Sequence, residues 1–180
     1  MYWQLISKGL PPVTLSQAKE FSRIDTANDD VVVQMLIDSC TELGEKLLSK
    51  VMRLTMYSGE VESCAGGFSI HKAVVQSVDE ISYLDNGVVV IIDPVNYTLK
   101  KSKQLASVAS AGDYAFPVGI TLTVAITCDV DDELLPQVQQ AVLHHVNFLY
   151  ENRGDVSAVD SLSMPLESKL FYNDNKVVRV

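Results

Sequence analysis

The chain has 180 residues, a formal net charge of −9 and a hydrophobic content of 47%. This length favours a single domain, and the hydrophobic content is sufficient for a core, which argues against wholesale disorder. The excess of acidic residues repels phosphate backbones, so general binding to nucleic acid or to an anionic membrane is not expected. DNA that passes close to such a surface without sticking is still compatible with this charge.

The cysteines and the apolar runs indicate a protein of the reducing cytoplasm. Cys40, Cys64 and Cys128 are odd in number and far apart, which predicts buried free thiols rather than a disulfide framework or a zinc knuckle. The first residues lack the basic and apolar segments of a secretory signal. The longest aliphatic run, 88–92, is far shorter than the roughly 20 residues of a membrane span, so we expect no membrane partner.

Three helices are predicted, over about 15–23, 29–51 and 136–152. Thr14 and Gln17 have the spacing of a capping box at the start of the first helix. Asn28 or Asp29 is expected to cap the second helix. The third begins near Pro136, and Gly154 is a plausible stop. One apolar stripe of the second helix recurs at intervals of three and four residues and comprises Val33, Leu36, Ile37, Cys40, Leu43, Leu47 and Val51.

The middle of the chain, about 53–128, has the period-two pattern of strands. Asn86 and Gly87 separate two strand-like runs and predict a hairpin with a type I′ turn. Residues 120–128 alternate strictly, as in a half-buried antiparallel strand. We therefore expect an α+β fold, in which three helices form a bundle and a small antiparallel β-domain is inserted between the second helix and the last. This β-domain is expected to be a compact sandwich, and the whole chain to be one domain.

No motif in the sequence requires catalysis, a cofactor or a metal. The segment 67–71 begins like a nucleophile elbow, but His71 stands where the second glycine is needed. His144 and His145 are adjacent on a helix, point about 100° apart and cannot share a ligand. The acidic cluster before the last helix lacks the glycine and the terminal glutamate of a calcium loop; it comprises Asp129, Asp131, Asp132 and Glu133.

A small basic patch has two interpretations. Lys100, Lys101 and Lys103 lie close together in a chain of net negative charge. They form either a solvated loop or a contact for DNA or an acidic partner.

Two segments resemble the head–tail connector (adaptor) proteins of tailed phages of the siphophage type. Such proteins open with V-T-L-x-x-A-K, then R-I-D and an acidic link into a long helix, and their last long helix ends in Y-E-N-R. The matching residues of this chain are Thr14, Leu15, Ala18, Lys19, Arg23, Ile24, Asp25, Tyr150, Glu151, Asn152 and Arg153. The strand block follows the order of the family more weakly, and Cys128–Asp129 stands where the family often has Gly-Tyr.

The resemblance implies a structural virion protein with no enzymatic activity and no cofactor. Members of this family form a homo-oligomeric ring, usually a dodecamer, beneath the portal protein at the head–tail joint. The ring extends the channel through which genomic DNA passes without sequence-specific binding. It also presents a surface to a stopper or tail-completion protein. The chain would accordingly be found in the virion neck, and in the host cytoplasm during assembly.

The C-terminal tail, 164–180, is the segment that we expect to dock on the portal, while the β-region contacts ring neighbours. One helical turn is predicted within 166–172, followed by a β-like strip over 176–180. The expected contact residues are Leu170, Phe171, Tyr172, Lys176, Val177, Val178, Arg179 and Val180. Two alternatives stay open at this point: a neck protein on the tail side, or a small enzyme whose site combines scattered carboxylates with His71.

Overall fold

The computed structural model describes residues 3–62, 64–70, 75–101, 106–153 and 165–176. Over these residues the fold is α+β, with four helices and two antiparallel sheets. The chain divides into two compact units. The β-unit comprises Met1–Gly9 and Arg53–Asp129, and the helical unit comprises Leu10–Met52 and Val130–Val180. In chain order, the β-region is thus inserted between the second helix and the last long helix, as the sequence predicts. The β-unit also includes an N-terminal strand.

The helical unit contains α1 (Leu15–Ser22), α2 (Asp30–Leu48), α3 (Leu135–Glu151) and α4 (Leu166–Asp174). The capping box of α1 is confirmed: the Gln17 backbone N–H donates to the Thr14 hydroxyl, and the Gln17 side chain accepts from the Thr14 backbone N–H at 2.8 Å. This arrangement satisfies two backbone donors that would otherwise lack partners at the helix start. Arg23 ends α1 in the left-handed region, with φ of 54°.

The second helix is shorter than predicted. It ends at Leu48 because Ser49 adopts a left-handed conformation with φ of 55°. Asp29 occupies the N-cap position, but its side chain makes no capping hydrogen bond. The buried stripe passes through Val33, Ile37 and Cys40 as expected, then continues through Gly44 and Leu48, while Leu47 is exposed. The prediction for Leu47 is therefore wrong by one residue, because the neighbouring Leu48 occupies the stripe. The prediction for Val51 is wrong because this residue lies beyond the end of the helix.

The last two helices pack on α2 and close the core of the helical unit. Pro136 lies in the first turn of α3, as predicted. α3 ends at Glu151, so the helix stops before Gly154, which is outside the described residues. α4 spans nine residues where only one helical turn was expected. The shared core of these helices comprises Val13, Ala18, Ile24, Val33, Ile37, Cys40, Leu48, Met52, Val138, Ala141, Val142, Val146 and Tyr172.

The β-unit contains two antiparallel sheets. The five-stranded sheet has the order β1-β2-β8-β4-β5, and the three-stranded sheet has the order β3-β7-β6. The strands are β1 (Trp3–Lys8), β2 (Thr55–Glu62), β3 (Gly67–Ile70), β4 (Val75–Asp85), β5 (Val88–Ile91), β6 (Tyr97–Lys101), β7 (Ala106–Ser110) and β8 (Thr121–Cys128).

The strongest strand predictions are confirmed. β4 and β5 form a hairpin across Asn86 and Gly87, whose φ values of 48° and 83° are those of a two-residue turn with positive φ. β8 alternates between exposed and buried residues and lies at the centre of its sheet, between β2 and β4. Its buried residues are Leu122, Val124, Ile126 and Cys128.

The N-terminal strand β1 is a feature that the sequence did not reveal. It pairs antiparallel with β2, and Trp3 lies opposite Gly59. The indole ring of Trp3 lies 2.5 Å from the point where a Cβ of residue 59 would be, so the close approach requires glycine there. A β-bulge at Ile6 shifts the register between Leu5 and Ser7.

Candidate assembly surfaces

The residues of the two helical motifs meet around Asp29. The Tyr150 hydroxyl donates to the Asp29 carboxylate at 2.7 Å, although 121 residues separate the two in sequence. The Arg153 guanidinium lies 3.5 Å from the same carboxylate and 4.3 Å above the centre of the Tyr150 ring. The hydroxyl of Tyr150, above all, and the charge of Arg153 lower the pKa of Asp29. Asp29 therefore joins the start of α2 to the end of α3 instead of capping its own helix.

The adjacent Asp30 ties α1 to α2. The Lys19 ammonium forms an ion pair with Asp30 and donates to the backbone carbonyl of Thr26 at 2.9 Å. Because Asp30 lies in the first turn of α2, its charge also suits the positive end of the helix dipole. Lys19 of α1 thus contacts both the segment that connects the two helices and the first turn of α2.

The other motif residues also have structural roles or lie at the surface. Ala18 and Ile24 are buried in the core, and Leu15 packs against it. Glu151 accepts a hydrogen bond from the Asn147 amide. Asn152 donates from its backbone N–H and from its side chain to the Phe148 carbonyl, and so ends α3. Arg23 and Asp25 are exposed.

Helix α4 separates the predicted docking residues into a core side and a surface side. Tyr172 is 1% exposed, and Ser168, one turn earlier, donates to the buried Ala141 carbonyl at 2.8 Å. Burial raises the pKa of the Tyr172 phenol. On the opposite side, Leu166 and Leu170 are 66% and 52% exposed.

The remaining docking residues lie between these extremes or beyond the described part. Phe171 is partly buried against the core, and Lys176 is exposed. The rest of the predicted β-like strip lies outside the described residues and comprises Val177, Val178, Arg179 and Val180.

Two apolar surfaces were not singled out by the sequence. On α2, Val31 and Met35 are 72% and 63% exposed, although they belong to an otherwise amphipathic helix. In the β-unit, the hairpin of β4 and β5 exposes a second group of aliphatic side chains: Leu84, Val88, Val89 and Ile91. The sequence contains part of the signal for this second surface, because β5 consists of four consecutive aliphatic residues. Its place at the edge of the sheet comes from the strand order.

The histidines and cysteines that lie within the described residues are not gathered into a site. His145 is buried, and burial lowers the pKa of its imidazole. The His144 and Phe21 rings pack in a T-shaped arrangement, with ring centroids 5.1 Å apart. Cys40 and Cys128 are buried as expected, and burial raises the pKa of the Cys40 thiol to about 12. Cys64 is exposed, which makes the prediction of three buried thiols wrong at this position.

No metal-binding cluster of three or more His, Cys, Asp or Glu residues occurs in the described part of the chain. The acidic segment leads into α3, where the Asp131 carbonyl accepts from the backbone N–H of Leu134. Lys100 and Lys101 are exposed on β6, and the Lys101 ammonium donates to Gln76. His71 and Lys103 lie outside the described residues.

Among the helices that the structure describes, none has the length and apolar character needed to cross a membrane.

No protein-family model matches the sequence, and no curated protein matches it. Solved structures do match over the whole chain. A chain from the neck of an empty gene transfer agent (GTA) particle, computed with C6 symmetry, is similar with a TM-score of 0.73 and 16% identity. Chains from the virion of the native GTA particle and from its neck, computed with C12 symmetry, have TM-scores of 0.71 and 0.68 and identities of 16% and 17%. Each match covers 100% of this chain and 97% of the other. The chain therefore has, over its full length, the fold of a protein found in GTA particles, including their neck.

Proposed function

We propose that this chain is a structural virion protein of the neck, a ring-forming adaptor between the portal and the tail. One observation carries the proposal: the fold matches chains from GTA necks over 100% of this chain and 97% of theirs. The C6 and C12 symmetries of those necks suit a homo-oligomeric ring, with twelve copies as the expected number. Catalysis has no part in this role, because binding energy and symmetry are sufficient for assembly.

The motif residues act in this proposal as the framework of the helical unit. Asp29, Tyr150 and Arg153 connect two helices through a hydrogen bond and an ion pair. Such a network links the start of α2 to the end of α3, with the Arg153 side chain on its exposed side. A subunit that docks through several helices gains from a rigid framework, because fewer groups must be ordered on binding.

We assign the portal contact to the exposed side of α4 and the residues that follow it. Leu166 and Leu170 are four residues apart and project from one face of the helix, as do the anchors of a helix that binds in an apolar groove. Lys176 and the residues 177–180 extend this contact. Tyr172, by contrast, is assigned to the core, because its side chain is 1% exposed.

The acidic composition suits the wall of a DNA channel. A net charge of −9 on each subunit weakens adhesion of a polyanion, so DNA can move past the ring. A stopper or tail-completion protein would bind the face of the ring that points away from the portal.

The proposal is tested by adding purified protein to DNA-filled, portal-bearing heads that lack it. We expect co-sedimentation with the heads and a new ring of density beneath the portal in images of that vertex. Binding to isolated tails alone would move the protein to the tail side of the joint. Binding to neither particle would refute a role in the neck.

The α4 contact is tested with the double variant Leu166→Glu/Leu170→Glu. We expect it to fold, because both side chains are exposed, and to lose binding to heads. The matched control changes two exposed polar residues of the same helix, Glu167→Gln and Lys169→Gln, and should bind as the wild type does. A second variant that lacks residues 176–180 leaves α4 complete and should also bind poorly. Normal binding by both the Glu variant and the truncated variant would exclude this surface.

A further inference from the structure

Strand β5 forms an unusual edge of the five-stranded sheet. Its sequence is Val88–Ile91, and the side chains of Val88, Val89 and Ile91 are 62–64% exposed. It carries no charge and no proline, and its pairing with β4 is free of bulges. Edge strands are normally protected by charges, proline, bulges or very short length, because an exposed, regular and apolar edge pairs readily with another strand. Of these features β5 has only a short length, four residues.

The register identifies which backbone groups of β5 are unpaired. In a hairpin with a two-residue turn, the residues that flank the turn, Asp85 and Val88, form a hydrogen-bonded pair, and bonded pairs then alternate. The Ile92 N–H donates to the Ile81 carbonyl at 2.8 Å, which fits this alternation. The N–H and C=O groups of Val89 and Ile91 therefore point away from β4, towards the outer edge of the sheet.

The opposite edge of the same sheet is β1, which differs from β5 in sequence and shape. Leu5 and Ile6 are 46% and 57% exposed, and no described strand pairs with the outer side of β1. Lys8, at the end of β1, is its only charged residue. Because the sheet has five strands and every neighbouring pair is antiparallel, β1 and β5 run in the same direction.

We propose that β5 of one copy of this chain adds to β1 of the next copy, in parallel, so that the sheets continue from subunit to subunit. The inference rests on the ring of the proposed function. A cyclic ring requires two different, complementary faces on each subunit, and the two ends of this sheet are such a pair. A rotation of about 30° between neighbours in a twelve-fold ring preserves the strand direction well enough for parallel pairing.

A continuous sheet of this kind would enclose a central opening. With strands about 4.8 Å apart, five strands extend about 24 Å, so twelve copies give a circumference of about 290 Å. The corresponding diameter of about 90 Å leaves a wide lumen at the level of the sheet. Strand tilt would increase this diameter further.

The backbone test uses Val89→Pro, with Val89→Thr as the matched control. Proline removes the outward N–H of residue 89 but no hydrogen bond to β4, so the subunit should stay folded by circular dichroism and thermal melting. Threonine keeps both the N–H and the branched side chain. We expect the proline variant to lose ring formation, as measured by native mass spectrometry and imaging, and the threonine variant to form rings. Rings of normal yield from the proline variant would overturn the inference.

Two further measurements identify the partner strand. In assembled wild-type rings, exchange of the Val89 and Ile91 amides should slow at least tenfold; unchanged exchange there would overturn the proposal. Mixing Val89→Pro with Ile6→Lys, each of which retains one intact edge, should give heterodimers but no rings. If the wild type forms rings that do not bind portal-bearing heads, the portal role is refuted and this inference stands. Failure of the wild type to form rings under any condition would overturn the inference itself.

Discussion

Replacing Tyr172 with alanine tests whether α4 is held by its buried side or serves only as a surface segment. Tyr172 is 1% exposed and belongs to the core that α2 and α3 build. Its hydroxyl lies 3.0 Å from the point where a Cβ of Gly44 would be, so the phenol ring is packed directly against α2. Removing the ring leaves a cavity that neighbouring side chains fill only in part.

The expected loss is about 3–5 kcal/mol of unfolding free energy, as for other buried aromatic residues changed to alanine. For a protein of this size, each kcal/mol lowers the melting temperature by about 2–4 °C, so the transition of the helical unit should fall by roughly 6–20 °C. Tyr172→Phe keeps the ring and removes a hydroxyl that has no hydrogen-bond partner among the described residues. It should therefore be as stable as the wild type or slightly more stable.

The measurement is urea unfolding followed by circular dichroism, with Leu170→Ala as the control. Leu170 lies two residues away on the same helix and is 52% exposed. Its truncation should change stability by less than about 1 kcal/mol, since surface substitutions rarely do more. If Tyr172→Ala and Leu170→Ala unfolded alike, the core position of Tyr172 would be refuted, and with it our division of α4 into two sides.

Three further predictions concern the helical unit. Burial lowers the pKa of His145, so at mildly acidic pH the unfolded chain binds a proton that the folded chain does not. The unfolding free energy should therefore fall as the pH decreases below about 6.5. His145→Gln should reduce this pH dependence of the urea midpoint, measured between pH 7.5 and 5.5. Tyr150→Phe removes the hydrogen bond that contributes most to lowering the pKa of Asp29, so that pKa should rise in an NMR titration; an unchanged value would show that the contact is absent in solution. Because the Asp29 pKa is lowered in the folded chain, its contribution to stability is complete above about pH 4 and is lost as the pH falls through the folded pKa. Ser168→Ala removes a buried hydrogen bond to the Ala141 carbonyl and should lower the unfolding free energy by about 1 kcal/mol. Equal urea midpoints for the variant and the wild type would contradict this prediction.

The features predictable from sequence are those fixed by neighbouring residues. The capping box at Thr14 and the turn at Asn86–Gly87 follow from contacts within a few residues, and the alternation of β8 follows from its own sequence pattern; all three are present. The start and the type of each long helix followed from the same local signals. These signals also correctly predicted that, in chain order, most of the β-region follows α2 and precedes α3.

The features that were missed depend on partners distant in sequence. The start of α2 was predicted to be capped by Asn28 or Asp29, but Tyr150 and Arg153, more than 120 residues away, engage the Asp29 carboxylate instead. β1 has no hairpin partner next to it, since it pairs with β2 across the whole of α1 and α2. Tyr172 was assigned to a docking surface because a tail of mixed composition does not reveal which of its faces meets the core.

The same principle applies to the candidate surfaces. An apolar run such as Val88–Ile91 predicts a strand but not whether that strand is central or at an edge. Only the strand order places β5 at the end of its sheet, where its side chains remain exposed. The surface therefore becomes visible once topology is known.

The central position of β8 has a consequence for the synthesis of the protein. β2 and β4 both pair with β8 and not with each other, although both precede it in the chain. While the chain emerges from the ribosome, the strands β1 and β2 and the hairpin β4–β5 exist at most as separate ribbons, which are marginally stable in water. The sheet closes only after residue 128 has been made, so its folding is late and rich in long-range contacts, and therefore slow. During that interval the apolar edge at β5 is exposed, which favours aggregation at high rates of expression.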